Sequence, residues 1–140
     1  MKLALAGDTM LGRNVAELLE GGWSADLFSA KVRAVVRESD LFVLNLECPV
    51  SARGTPFPDP DKAFFFKAPP ATATVPADLG VSCVTLANNH ALDFGVEALL
   101  DTFTHLAGAG VAWGGAGVDE SWAARPACSG APARASGSSP

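Results

Sequence analysis

Val81-Ser-Cys-Val-Thr-Leu-Ala-Asn-Asn-His-Ala-Leu-Asp93 begins as an apolar, β-branched run and ends on two amides and an imidazole. The run predicts a buried strand over 81–87, and the pattern after Phe94 predicts a helix. A strand that carries Asn88, Asn89 and His90 to its C-terminal tip, just ahead of a helix, is how an open α/β sheet builds a site. Folding alone does not ask for these residues, because Gly or Asp makes the same turn unaided. The reading of the chain therefore depends on whether other polar residues reach the same rim.

Upstream, Lys2 to Ala6 is a short apolar run that meets Gly7-Asp8. It stops too early for the hydrophobic region of a signal peptide and reads as a first buried strand. Thr9-Met-Leu-Gly-Arg13 leads into a helix over 14–20, with Val15, Leu18 and Leu19 on one face and Gly21-Gly22 at its end. Gly7 to Gly12 lacks the GxGxxG spacing of a dinucleotide site. A second amphipathic helix is expected over 26–38, with Leu27, Phe28, Val32, Val35 and Val36 on its apolar side. The strand Leu41-Phe-Val-Leu-Asn-Leu-Glu47 then alternates at its end, so Asn45 and Glu47 project to one side. Pro49 stops the pairing.

Residues 51–70 form a long, Pro-rich connection around Phe64-Phe65-Phe66. A loop of this length in a compact domain is usually functional or disordered, and three consecutive Phe residues argue against disorder. Residues 63–67 are expected as a short extended piece packed on the sheet. Lys62 and Lys67 flank it, either as solvated loop charges or with one reaching an anionic substrate. Downstream, a short helix is expected over 71–79. Another over 95–107 should bury Val96, Leu99, Leu100, Phe103 and Leu106, with His105 a surface or packing residue. Val111-Ala-Trp113 reads as a fourth strand before Gly114-Gly-Ala-Gly117, and Asp119 to Ala124 as one or two helical turns. The stretch 126–140 is low-complexity Ala, Ser, Gly and Pro, with no periodicity, and is expected to be disordered.

Strands alternating with helices make the class α/β, with a largely parallel sheet and flanking helices. At 140 residues and 49% hydrophobic, the chain has enough for one domain. A net charge of −5 argues against nucleic-acid partners. Cys48, Cys83 and Cys128 show neither a disulfide framework nor a CxxC pair, which suits a reducing compartment. No segment has the apolar length of a membrane span, so the default location is the cytoplasm.

In a parallel sheet the ends bearing Asp8, Asn45 with Glu47, and Asn88-Asn89-His90 share one edge. Two carboxylates, amide oxygens and an imidazole form a donor set for a divalent metal. Such an ion would let the two carboxylates lie close despite their like charge. Each residue also has a purely structural reading. Asp8 can be a turn residue or helix cap, Glu47 a solvated strand end, either Asn a turn-holder, and His90 a satisfied structural histidine.

Several of these pieces together resemble the N-terminal part of the CapA family of bacterial capsule or poly-γ-glutamate synthesis proteins, relatives of the calcineurin-like metallophosphoesterases. They are Gly7-Asp-Thr-Met-Leu-Gly-Arg13, Asn45-Leu-Glu47, Lys62 with Phe64-Phe-Phe-Lys-Ala-Pro-Pro70, Leu86-Ala-Asn-Asn-His90 with Asp93-Phe-Gly95, and Gly114-Gly-Ala-Gly117. The resemblance covers about residues 2–125. It implies an incomplete metallophosphoesterase-like domain of α/β/β/α type over 1–125, followed by the tail 126–140. It makes Asp8, Glu47 and Asn89 metal ligands and His90 the acid or transition-state hydrogen-bond donor. Asn45 and Asn88 become supporting amides, and Arg13 and Lys67 candidates for substrate contact. The implied cofactor is a divalent ion (Mn, Mg, Fe or Zn), and the substrate an anionic polymer or a phosphorylated small molecule. Family members are often envelope-associated, so envelope polymer-synthesis proteins are the implied partners. Family domains are longer, and their later half supplies further histidines, so a truncated chain with an incomplete site is expected. Where a two-metal enzyme has a second ligand after the first Asp, this chain has Met10. Two functions stay open: a metal-dependent hydrolase, and a non-catalytic assembly subunit of a polymer-synthesis complex.

Overall fold

The computed structural model describes residues 1–21 and 27–127. Four strands, β1 (Leu3–Thr9), β2 (Leu41–Leu46), β3 (Cys83–Thr85) and β4 (Ala112–Gly114), form one sheet in the order β1-β2-β3-β4. Every neighbouring pair is parallel, as the alternation of strands and helices requires. The helices are α1 (Asn14–Glu20), α2 (Ala30–Arg37), α3 (Thr74–Leu79), α4 (Gly95–Gly108) and α5 (Glu120–Ala123). A 3-10 turn, Pro70–Ala73, runs directly into α3.

Sequential strand order with crossovers of one hand places the connecting helices on one face of the sheet. The alternation along β2 shows which face. Phe42, Leu44 and Leu46 are buried, whereas Leu41, Val43 and Asn45 are half-buried. Central strand β3 is buried at both Cys83 and Val84. Strand β1 is an edge strand, not the buried one its composition suggests, with Leu3 53% and Leu5 72% exposed. Apolar composition cannot distinguish an edge strand from a central one, because both read as short hydrophobic runs.

The β1–β2 register carries one irregularity that bears on the site. Leu5 lies opposite Val43 and Asp8 opposite Asn45, so β1 spends three steps where β2 spends two. The extra residue is a bulge at Ala6-Gly7. Side chains alternate with a period of two, so without it Asp8 would share the face of Ala4 and Ala6. The bulge turns Asp8 to the face of Leu5, Val43 and Asn45.

Three helices differ in detail from the periodicity reading. Helix α2 starts at Ala30, later than expected, because the Ser29 hydroxyl accepts the Val32 amide and caps it there. Its only buried residue is Val36, while Val32 and Val35 are exposed; Asp26 lies outside the described residues. In α1, Leu18 is exposed as well. Helix α4 buries Ala98, Leu99, Thr102 and Leu106, and leaves Val96 63% exposed and Leu100 exposed. Its buried stripe is rotated because a polar residue lies at its centre. Thr102 Oγ1 accepts the Val50 amide at 2.8 Å and donates to Ala98 O at 2.7 Å.

That contact belongs to the strap that follows β2. Cys48, Pro49, Val50 and Ser51 are essentially inaccessible, so the chain passes through the core before it loops outward. Val50 and Ala68 form an isolated parallel bridge. Residues 63–67 form no helix and pair with no strand among the described residues. They cross the C-terminal strand tips, with Phe64 exposed and Phe66 packed on the core margin. Residues 128–140, most of the expected tail, lie outside the described residues.

Candidate functional site

The sheet brings three strand ends to one edge, and a row of side-chain bonds joins them. Asn45 Nδ2 donates to Asp8 Oδ1 at 2.7 Å. Asn45 Oδ1 accepts from Asn88 Nδ2 at 2.9 Å, and the same Nδ2 donates to Leu46 O at 2.9 Å. Asn88 Oδ1 then accepts the His90 amide at 3.0 Å. The order of donors is fixed at both ends. An ionised Asp8 only accepts, so Asn45 must turn its NH2 to Asp8 and its oxygen to Asn88. A backbone N–H only donates, so Asn88 must present its oxygen to His90. An amide at each of positions 45 and 88 is the side chain that can pass a hydrogen bond along in this way.

His90 lies past the end of this row, buried, in the run of turns that precedes α4. Its Nδ1 is 2.7 Å from Asp93 Oδ2. Its Nε2 faces Glu47 Oε1 at 3.9 Å, an ion-pair distance too long for a hydrogen bond. The Phe66 ring covers the imidazole, with centroids 4.1 Å apart. The Phe66 amide donates to Asp93 Oδ2 at 2.6 Å, so one residue holds both members of the pair.

Asp93 is fully buried. Its Oδ1 lies 2.6 Å from Lys62 Nζ. That contact is an ion pair outside hydrogen-bond geometry, and it is the partner Oδ1 has among the described residues. Lys62 Nζ also donates to Asn89 O at 2.6 Å. Lys62 is thus no solvated loop charge; it pins the long connection to the turn after β3.

The remaining candidates occupy separate positions. Arg13 lies over Phe66 at 4.7 Å and over Phe64 at 5.3 Å, behind the ring that covers His90. It is the non-glycine residue of positive φ (52°) among the described residues, a strained conformation at the start of α1. Lys67 Nζ stands over the Phe94 ring at 4.3 Å and donates to Arg53 O at 3.2 Å. Asn89 is exposed. With Asn88 it lines a cavity of about 650 Å³ formed by Leu86, Ala91, Leu99 and the 115–117 turn. Neither Asp8, Glu47 nor His90 lines that cavity. Beneath Glu47, burial pushes the Cys48 thiol up to about 11, with the Glu47 charge adding to the effect; it is a sealed core residue.

Sequence reasoning missed Asp93 and Phe66 as parts of the site and left Lys62 open between a solvated charge and a substrate contact. A His and an Asp three positions apart in one turn meet on the same side, so the Asp93 signal was present. Nothing in the pattern around Lys62 or Phe66 showed which way that loop folds.

As a metal site, the donors fit in kind. Two carboxylates and an amide oxygen suit a hard divalent cation. Among the described residues, however, no three His, Cys, Asp or Glu side chains converge closely enough to enclose one.

A family model for bacterial capsule synthesis proteins, PGA_cap, matches residues 2–135. The chain belongs to this family. Among curated relatives of this PGA_cap chain, the PGA biosynthesis protein CapA of Bacillus subtilis is 29% identical over 107 residues, covering 76% of this chain and 28% of that protein. A probable polyglutamine synthesis accessory protein of Mycobacterium tuberculosis is 40% identical over 81 residues, 58% of this chain and 21% of that protein. The capsule biosynthesis protein CapA of Bacillus anthracis is 28% identical over 118 residues, covering 84% and 28%. The chain spans under a third of the length of these relatives. No helix among the described residues is long and apolar enough to cross a membrane.

Proposed function

We propose that this PGA_cap chain serves capsule or poly-γ-glutamate-type polymer synthesis through a metal-dependent hydrolase site at the C-terminal edge of its sheet. The observation that carries the reading is the continuous row Asp8–Asn45–Asn88–His90, hydrogen-bonded across three strand ends. Asp8, Glu47 and Asn89 are the residues that would hold a divalent ion. When bound, such an ion supplies Lewis acidity toward a phosphoryl or acyl oxygen.

This chain's own residues do the rest. Asn45 and Asn88 fix the approach of Asp8 and His90. His90 turns Nε2 toward Glu47, where the neutral ring can take up a proton and the imidazolium can donate a proton or hydrogen bond to a group bound at the edge. Phe66 shields one face of the imidazole from water. Arg13 and Lys67 give positive charge to an anionic polymer or a phosphorylated substrate.

Calorimetric titration with Mn²⁺ tests the reading on wild type, Asp8→Ala, Glu47→Ala and Asn89→Ala. Tight binding by wild type and at least tenfold weaker binding by each variant is the expected result. Equal, weak binding by all four proteins would remove the metal site.

A second reading is a non-catalytic assembly subunit that works with envelope polymer-synthesis proteins. The mycobacterial relative, named as a probable polyglutamine synthesis accessory protein, favours it, as does the partial donor set. Turnover of a chromogenic phosphodiester that is lost in His90→Ala would exclude it.

A further inference from the structure

We infer that Asp93 is a positioning residue that fixes His90 as its Nδ1–H tautomer and directs Nε2 at Glu47. The inference rests on His90 being the working imidazole of the edge site.

The argument is one of donors and acceptors. Three groups converge on the Asp93 carboxylate: the Phe66 amide at 2.6 Å, the Lys62 ammonium at 2.6 Å and His90 Nδ1 at 2.7 Å. The first two can only donate. A carboxylate paired with an ammonium and receiving an amide proton only accepts. Nδ1 must therefore carry the hydrogen, which leaves the Nε2 lone pair of the neutral ring pointing outward. The Phe66 ring, its centroid 4.1 Å from that of the imidazole, covers one face of His90. Lys62 has a further role in the same arrangement, because it binds Asn89 O as well as Asp93 Oδ1. It thereby ties the residues on either side of His90 to one ammonium.

Only a carboxylate satisfies this set. Asn at position 93 would turn its NH2 toward either Lys62 or the Phe66 amide, opposing a donor to a donor in both cases. When it faces Nδ1, the NH2 also forces the hydrogen of His90 onto Nε2.

The test is nitrogen NMR of the full chain carrying ¹⁵N-histidine, at a pH where the imidazole is neutral. His105→Gln assigns the two rings. The expected wild-type spectrum shows His90 Nδ1 as the protonated, pyrrole-type nitrogen and Nε2 as the pyridine-type one. Asp93→Asn is expected to lose this single state and gain an Nε2–H population, while Lys62→Met retains Nδ1–H. A wild-type Nε2–H tautomer overturns the inference, as does an unchanged single Nδ1–H state in Asp93→Leu, where no acceptor faces Nδ1. The wild-type spectrum decides even if Asp93→Asn fails to fold. The readout needs neither metal nor turnover, so its failure is distinct from failure of the hydrolase reading.

Discussion

Lys62 Nζ and Asp93 Oδ1 lie 2.6 Å apart, and the pair joins a loop residue to a carboxylate with no exposed surface. Removing the ammonium leaves a buried charge short of a partner. Lys62→Met should cost about 3–5 kcal/mol, the range for removing one partner of a buried ion pair. Urea denaturation of the two proteins measures it. A loss within about 0.5 kcal/mol, as for an ordinary surface substitution, would mean the pair does not hold the loop.

Asn45 stands between two polar partners, so a side chain of similar shape without polarity strands both. Asn45→Leu is expected to cost about 1 kcal/mol or more in stability, because Asp8 keeps its water on one side while Asn88 loses its acceptor. Loosening of the His90 turn should accompany it, seen as faster hydrogen exchange at the His90 amide. Unchanged exchange would show that Asn88 orients that turn without Asn45.

Gly12 makes the closest approach between the α1 start and the long connection. A Cβ there would run into the Lys67 carbonyl, and backbone cannot yield as a flexible side chain does. Gly12→Ala should destabilise the fold by about 1–3 kcal/mol, as overpacking does. It should also move Phe66 relative to His90, changing the ring-current shifts of the imidazole. A protein of wild-type stability would refute this contact.

The strap after β2 is clasped to α4 by Asp101, which accepts from Ser51 Oγ at 2.6 Å and Arg53 Nε at 3.0 Å. The bonds from Arg53 and then Ser51 hold its carboxyl well below the usual carboxylate range. In the unfolded chain the same group has an ordinary value near about 3.9. Below that pH the unfolded chain takes up the proton first, so acid favours unfolding. The clasp is fully effective above about pH 4 and fades as the pH falls further. Asp101→Asn should therefore flatten the acid side of the stability profile, measured by thermal melts from neutral pH downward. An unchanged profile would show that Asp101 does not couple folding to protons.

Cys48 titrates in the opposite sense. Its pKa is raised to about 11, chiefly by burial, against about 8.5 for an ordinary thiol. The folded protein holds this proton longer than the unfolded chain does, so stability is intact below about pH 8.5 and declines as pH rises toward the folded value. Alkylation by iodoacetamide near neutral pH should proceed only as fast as the protein opens. Rapid labelling of Cys48 in the native state would contradict its burial.

Much of the architecture was legible because buried strands and their polar endings leave a strong pattern. The run from Val81 to His90 announced a strand tip, and Asn45 and Glu47 followed from alternation. Register was not legible. Asp8 faces Asn45 only because of the bulge at Ala6-Gly7, and a Gly in a strand suggests such a shift without fixing its position. The rotation of α4 also escaped the pattern, because a buried Thr102 that bonds the Val50 amide looks polar to any hydrophobic count. Phe66 and Lys62 take their positions from the path of a Pro-rich loop, which is decided by tertiary contacts such as Phe66 on His90 rather than by local preference.

The bulge makes chain length, rather than side-chain chemistry, the sensitive variable at the start of the molecule. Straightening the strand at its present length would turn the acid to the helix-covered side of the sheet. Deleting a single residue between Leu5 and Asp8 would instead remove the bulge and leave the acid opposite Asn45. In β1, counting is therefore as much a part of the specification as composition.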